Sequence, residues 1–212
     1  MKTADRTRTA VFVVALSVTL PLHVSAAQLS DSGPRTTFVV ALYGSRGARA
    51  LYAGYGVGSW EGIIAVLENP HTDYLEALVG VAKRFMLAPH QSITVALAAA
   101  EAKDSRYGQI YVVPAISAGR LTLTGTAVIY APLQTQGAFQ YYLHPLSLHV
   151  ALSTLVQAGV SYDLAGQEQA ATGHALGPSL RLGVPHGAVT IDWLVGLAAY
   201  STETRLTFQT TL

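Results

Sequence analysis

Residues 146–163, LSLHVALSTLVQAGVSYD, alternate between two kinds of side chain over 18 positions. One beat carries Leu146, Leu148, Val150, Leu152, Val156, Val160 and Tyr162; the other carries Ser147, His149, Ser153, Gln157, Ser161 and Asp163. A period of two is the mark of a β-strand with unlike faces. Thr154 and Leu155 break the beat, which marks a bulge or the point where the strand leaves its sheet. The polar beat is the constraining feature. A soluble sheet shows water a face rich in charge, but this face is small and weakly polar. Residues 188–200 repeat the contrast, with Val189, Ile191, Trp193, Val195 and Leu197 against Thr190, Asp192, Gly196 and Ala198. So do residues 205–212, where Leu206 and Phe208 oppose Arg205, Thr207 and Gln209.

Composition points the same way. Half of the 212 residues are apolar and 12% are charged, against roughly 25% charged in an average soluble domain. Part of the outer surface therefore does not face water. The chain has no cysteine, which excludes disulfides and thiolate metal sites.

The first residues read as a secretory signal. Lys2, Arg6 and Arg8 precede the apolar run Val11–Leu22, and Val24–Ala26 supply small residues for cleavage after Ala26. That run is too short for a membrane helix, which needs ~20 residues. Three of the 13 basic residues and one of the 12 acidic ones, Asp5, lie in this segment, so 10 basic and 11 acidic residues remain. No basic patch is left for nucleic acid.

From Thr36 onward alternating segments follow one another with short connections, the pattern of an antiparallel meander. Residues 73–86 also fit an amphipathic helix, but their strand-like neighbours favour a strand. Large aliphatics on one face and small residues on the other suit a barrel with lipid outside and side chains filling a crowded interior. Tyr43, Trp60, Tyr74, Tyr107, Tyr130, Tyr142, Tyr162 and Tyr200 lie near expected strand ends, where interfacial aromatic girdles form.

The chain resembles the small Gram-negative outer-membrane β-barrel proteins. The resemblance rests on the signal segment, the alternation over 36–212, the phrase AGVSYDLAG leading into a loop, and a chain that ends within a strand. Such barrels commonly end on an aromatic residue, whereas this sequence ends LTFQTTL. The resemblance implies an all-β, antiparallel up-and-down transmembrane barrel over 36–212, after a signal peptide (1–26) and a flexible segment (27–35). Ten strands is the preferred count, with eight or twelve as alternatives. Residues 49–67 and 138–163 are each one strand in the count of ten; splitting them at GSWEG and at Pro145 gives twelve. It also implies the outer membrane as location and lipid as partner, with a small solute and an envelope protein or second copy as further candidates.

The parity of the segments assigns faces. Leu148, Val150, Leu152, Ile191, Trp193, Leu206 and Phe208 are expected to face lipid; His149, Gln157, Arg181, Asp192 and Arg205 are expected to face the lumen. A four-residue turn at Pro185–Ala188 would set Val184 against Val189 and Arg181 against Asp192. Arg205 should lie near Tyr200 and away from Asp192. Gly54, Gly56 and Gly58 recur on one face and relieve close packing, against Tyr or Trp across the barrel. They form no phosphate loop, because the lysine is missing. Residues 164–175 read as the longest loop.

No metal or cofactor site is read. His149 is a hydrogen-bonded filler rather than a ligand, and His144 does not converge with it. Catalysis would need a Ser–His pair, such as His90–Ser92 or His144–Ser147, but no G-x-S-x-G elbow is present. The expected role is a narrow passive channel for small neutral or weakly apolar solutes, or an envelope component. A lipid-modifying outer-membrane enzyme and a lipocalin-like binder of an apolar ligand are the alternatives.

Overall fold

A computed structural model describes residues 35–134 and 137–212. The expected signal peptide, and the segment that follows it up to residue 34, lie outside the described residues. The strands are β1 (Arg35–Gly44), β2 (Arg49–Val57), β3 (Trp60–Asn69), β4 (Tyr74–Ala88), β5 (Gln91–Ala102) and β6 (Ser105–Ala118). They continue as β7 (Leu121–Thr124), β8 (Ala127–Pro132), β9 (Gln140–Ala151), β10 (Val156–Gln167), β11 (Gly173–Val184), β12 (Gly187–Ala198) and β13 (Glu203–Thr211). All neighbours pair antiparallel, and β13 pairs with β1, so the sheet closes. β7 and β8 lie end to end between β6 and β9. The circumference is therefore twelve strands, one of them interrupted, and not ten. Closure pairs every edge, which a membrane demands of a sheet.

Residues 146–163 are a hairpin, not one strand. The chain reverses at Leu152–Leu155. Ser153 makes this turn, its hydroxyl accepting from the backbone N–H groups of Leu155 (3.2 Å) and Val156 (3.1 Å). The out-of-beat Thr154 and Leu155 are turn residues, and the split needed for twelve strands falls here rather than at Pro145. Residues 74–88 are a strand throughout.

Pro145 sits inside β9 at a bulge. Tyr162 pairs with Leu146 and Leu164 with Leu143, so His144 and Pro145 together oppose Asp163. The extra residue switches the buried parity, from Gln140, Tyr142 and His144 to Ser147 and His149. It also places a residue without an N–H where the ladder asks for none. The same level carries the interruption at Gly125–Thr126, flanked by Pro145 on β9 and by Pro114 on β6. One bond crosses the gap, from His144 N–H to Thr126 O at 2.7 Å.

The two rims differ. One holds Arg35, Leu212, the two-residue turns 58–59, 89–90, 119–120 and 185–186, and the turn 152–155. The other holds connections 45–48, 70–73, 103–104, 133–139, 168–172 and 199–202. The longest of these is 133–139, not the segment after Leu164, because β10 runs on to Gln167 and β11 starts at Gly173. Two of the tight turns are Pro-His pairs. Pro89 and Pro185 fix φ near −65°, and His90 and His186 take φ of 63° and 60°.

The outer face is apolar on every side. Val79, Ile64, Leu97 and Trp193 are all more than half exposed, which water would not tolerate over a whole barrel. The inner face combines rows of small residues with bulky polar ones. Gly125 shows how tight the wall is at its interruption: a Cβ there would meet Pro145 O at 2.7 Å and Leu146 Cα at 2.9 Å. Gly62 has only Tyr55 O at 3.9 Å. Gly125→Ala should therefore destabilise the barrel by about 1–3 kcal/mol and Gly62→Ala by little. Heat-dependent gel mobility in detergent, followed against temperature, measures both; equal midpoints would contradict the packing argument.

Candidate functional site

The barrel encloses a cavity of about 660 Å³. Its lining includes Thr36 and Thr211 near the tight-turn rim and Ala48 and Thr72 near the other. One wall is apolar, with Phe38, Val40 and Leu42 on β1 and Ile63 and Leu67 on β3. Gly54 makes room for it: a Cβ there would run into the Phe38 ring on the adjacent strand. That neighbour, and not a Tyr or Trp across the barrel, explains the glycine; Gly58 belongs to a turn, with φ 62°.

The rest of the lining is rich in aromatic rings. Tyr74, Tyr111, Tyr130 and Tyr142 stand on β4, β6, β8 and β9, and Tyr52 on β2 lies beside Val40. Tyr107 packs edge-on to Tyr130 (5.7 Å between centroids), Tyr130 edge-on to Tyr142 (5.3 Å), and Tyr142 stacks on His144 (4.8 Å). Tyr107 and Tyr130 are buried, so these strand-end tyrosines do not belong to an outer girdle. Position near a strand end does not fix the face; parity does. Tyr43 and Trp60 are the most exposed of this set, with Arg49 over Tyr43 and Lys83 over Trp60.

Glu76 anchors the aromatic wall. It is fully buried and accepts from the Tyr74 hydroxyl and from Gln109 Nε2 (3.0 Å). Gln109 in turn accepts from the Tyr111 hydroxyl. Gln109 and Glu76 stand on β6 and β4, one strand apart. The intervening β5 presents Ala96, Ala98, Ala100 and Ala102, and Gln109 pairs directly with Ala98. Small residues on one strand let long residues on its neighbours meet above it.

The same device recurs on the opposite side. Gly159 pairs with both His149 and Ser179, and His149 Nε2 meets Ser179 Oγ over it at 2.8 Å. Ser161 pairs with Gly177 and reaches past it to Asp192 Oδ1 at 2.6 Å, while also bonding Ser147 at 2.6 Å. All five side chains are buried, so this side of the barrel is filled. His149 and Ser179 form a Ser–His contact, but His149 Nδ1 has no partner, so no third residue orients the ring as a nucleophile's base requires.

Arg205 is the most enclosed cation among the described residues. It donates to Asp163 Oδ2 (2.5 Å), Glu203 Oε2 (3.0 Å) and the Tyr200 hydroxyl (3.2 Å). Tyr200, in the connection before β13, also donates to Glu203 (3.2 Å), and burial pushes its phenol above the usual range. His144 Nδ1 lies 3.7 Å from Asp163. Closer to the tight-turn rim, Arg84 pairs with Glu61.

Two register expectations need correction. The turn after β11 has two residues, Pro185 and His186, so Val184 pairs with Gly187. Every partner shifts by two: Arg181 faces Thr190, and Asp192 faces Ser179. On its other side Asp192 pairs with Arg205, which therefore is not remote from it, although its bonds go to Asp163 and Glu203. Of the five residues assigned inward, His149, Asp192 and Arg205 are buried. Gln157 and Arg181 are half-buried neighbours on β10 and β11. Of the seven assigned outward, Leu148, Val150, Ile191, Trp193, Leu206 and Phe208 are exposed strand residues. Leu152 is exposed in the 152–155 turn and not on a strand face.

Sequence reasoning assigned no site role to Glu76, Gln109, Asp163 or Glu203. The available signal was parity: each falls on the beat opposite the large aliphatics. No grouping of three or more His, Asp or Glu suited to a metal occurs among the described residues.

The closed antiparallel β-barrel is a fold shared with solved outer-membrane porins. The chain is similar to a structure described as the KdgM porin, at a TM-score of 0.56 and 9% identity, over 82% of this chain and 98% of that one. A second KdgM porin structure, in complex with disordered oligogalacturonate, matches with the same figures. The NanC porin matches at a TM-score of 0.53 and 10% identity, over the same shares of the two chains. These relatives in fold are porins rather than enzymes. No family model matches the sequence, and no curated protein matches it.

The Arg205 cluster should dominate stability. Arg205→Met would strand Asp163 and Glu203 without a cation, at about 3–5 kcal/mol, read by denaturant unfolding in detergent. A double-mutant cycle on Arg181 and Asp192 should be additive within about 0.5 kcal/mol. Strong coupling there would revive the four-residue turn.

Proposed function

We propose that the protein is a passive outer-membrane channel for small neutral or weakly apolar solutes. The observation that carries this reading is the cavity, whose lining draws on both rims and whose larger part is aliphatic and aromatic. Such a surface replaces little of a sugar's hydration but suits a solute with an apolar body. Likeness in fold to porins supports passage as the role.

In this reading Leu148, Val150, Ile191, Trp193, Leu206 and Phe208 touch lipid acyl chains, and His149, Gln157, Arg181, Asp192 and Arg205 belong to the lumen side. The rim with tight turns and both strand termini faces the periplasm, because outer-membrane barrels keep short turns there.

Two measurements test it. Spin labels at Val150, Ile191 and Leu206 should be quenched by lipid-soluble oxygen and protected from a water-soluble relaxant; the reverse would refute membrane insertion. The refolded chain in planar bilayers should give discrete conductance steps well below those of wide porins. A silent bilayer would leave an envelope component as the role.

A further inference from the structure

Arg49, Arg84 and Arg205 line the central cavity, and each is paired with a carboxylate. Arg181 is not. It is half-buried on the inner face of β11, and among the described residues its side chain finds neither an ion pair nor a hydrogen bond. Gln157, its in-register neighbour on β10, keeps a buried Oε1 without a donor, so the guanidinium is not spent there. Asp192, further along β12, bonds Ser161 instead. A cation withdrawn from water without an acceptor is costly, and an anion laid against it relieves the cost.

A second observation shows where this side chain reaches. Arg181 lines a hollow of about 410 Å³ at the tight-turn rim, together with His186, Gln209 and Thr211. No acidic side chain lines the hollow, and Leu212, which does, makes no ion pair with Arg181. Ala188 lies in register between Gly183 and Gln209, so two small residues leave headroom beside Arg181. Gln209 and Thr211 belong to the lining of the central cavity as well, so the hollow adjoins the passage. Their in-register neighbours on β1 are Val40 and Phe38, which belong to the apolar wall. An unpaired cation and an apolar surface therefore flank the same two polar side chains.

From this we infer that the hollow is a carboxylate-binding site, and that the solute it serves carries one carboxylate on an apolar body. The charged end meets Arg181, whose planar fork matches a carboxylate in shape and charge. Gln209 and Thr211 supply further donors, and the body lies against Phe38 and Val40. The inference rests on the channel reading and narrows its weakly apolar solutes to acidic ones.

Equilibrium dialysis of labelled benzoate against the refolded chain in non-ionic detergent, with empty micelles as the blank, tests the site without any need for conduction. Benzoate should bind saturably and more tightly than acetate, and benzyl alcohol should compete poorly. Arg181→Gln should lower the affinity roughly tenfold or more, as loss of a charge-assisted contact does. It should leave the heat-dependent gel shift unchanged, because no partner is stranded. Gln209→Ala should weaken binding about threefold, which keeps the test decisive if the Arg181 variant fails to fold. Equal affinity in the variants and the wild type, or no saturable binding, would overturn the inference while the conductance steps of the channel reading stand. Acetate bound as tightly as benzoate would remove the apolar body from it. Arg181-dependent binding in a barrel that is silent in planar bilayers would uphold the site and sink the channel reading.

Discussion

Everything inside this barrel follows from the curvature of a closed wall. On the outer side strands diverge and large aliphatics fit; on the inner side Cβ positions converge, and long side chains on adjacent strands would collide. The chain resolves this by staggering sizes. Rows of Ala and Gly on β5, β10 and β11 leave headroom, and long polar residues on flanking strands meet across them. Gln109 with Glu76 over Ala98, His149 with Ser179 over Gly159, and Ser161 with Asp192 over Gly177 are one device used three times. A buried polar group without a partner costs about 1–3 kcal/mol, so these strand-skipping bonds are what permit polar residues on the inner face.

The wall is weakest where β7 gives way to β8. Pro145 and Pro114 lack amide hydrogens on either side of Gly125–Thr126, and the bulge at His144–Pro145 adds a residue to β9. In hydrocarbon an unpaired backbone group is costly. Here the cost is limited in two ways. The His144 to Thr126 bond crosses the gap, and Gly125 packs directly on the β9 backbone. The bulge has a further effect: it brings His144 beside Asp163, so the irregularity also shapes the Arg205 cluster.

The sequence made the architecture legible through one comparison, the poverty of charge on the polar beat. It made the faces of most strands legible too, since parity survives any error in turn length. Register was another matter. A two-residue and a four-residue turn at Pro185 leave the same residues on the inner face but change which of them meet, so Asp192 was set against Arg181 instead of Ser179. Strand count failed for a related reason. The LSTL turn between β9 and β10 contains no Gly or Pro, and its turn-former, Ser153, sits on the polar beat as any strand serine would. Pro145, the obvious breaker, was absorbed by a bulge. The carboxylates were given no role because the partners that complete their sites, Gln109 for Glu76 and Arg205 for Asp163, lie far away in sequence on other strands.

The interior is divided into a filled side and an open side, and the division decides how its few charges are accommodated. On β9–β12 the Ser, His and Asp side chains consume each other's hydrogen-bonding capacity and leave little room. On the other strands the lining is mostly aliphatic and aromatic, and its carboxylates, Glu61 and Glu68, pair with Arg84 and Arg49. Charges in such surroundings act at a lower effective dielectric than surface charges do. The ion pairs inside the barrel are therefore screened less by salt than the same pairs on a soluble surface, where charges lose one another within about 10 Å. The few charges inside this barrel are placed where each one counts most.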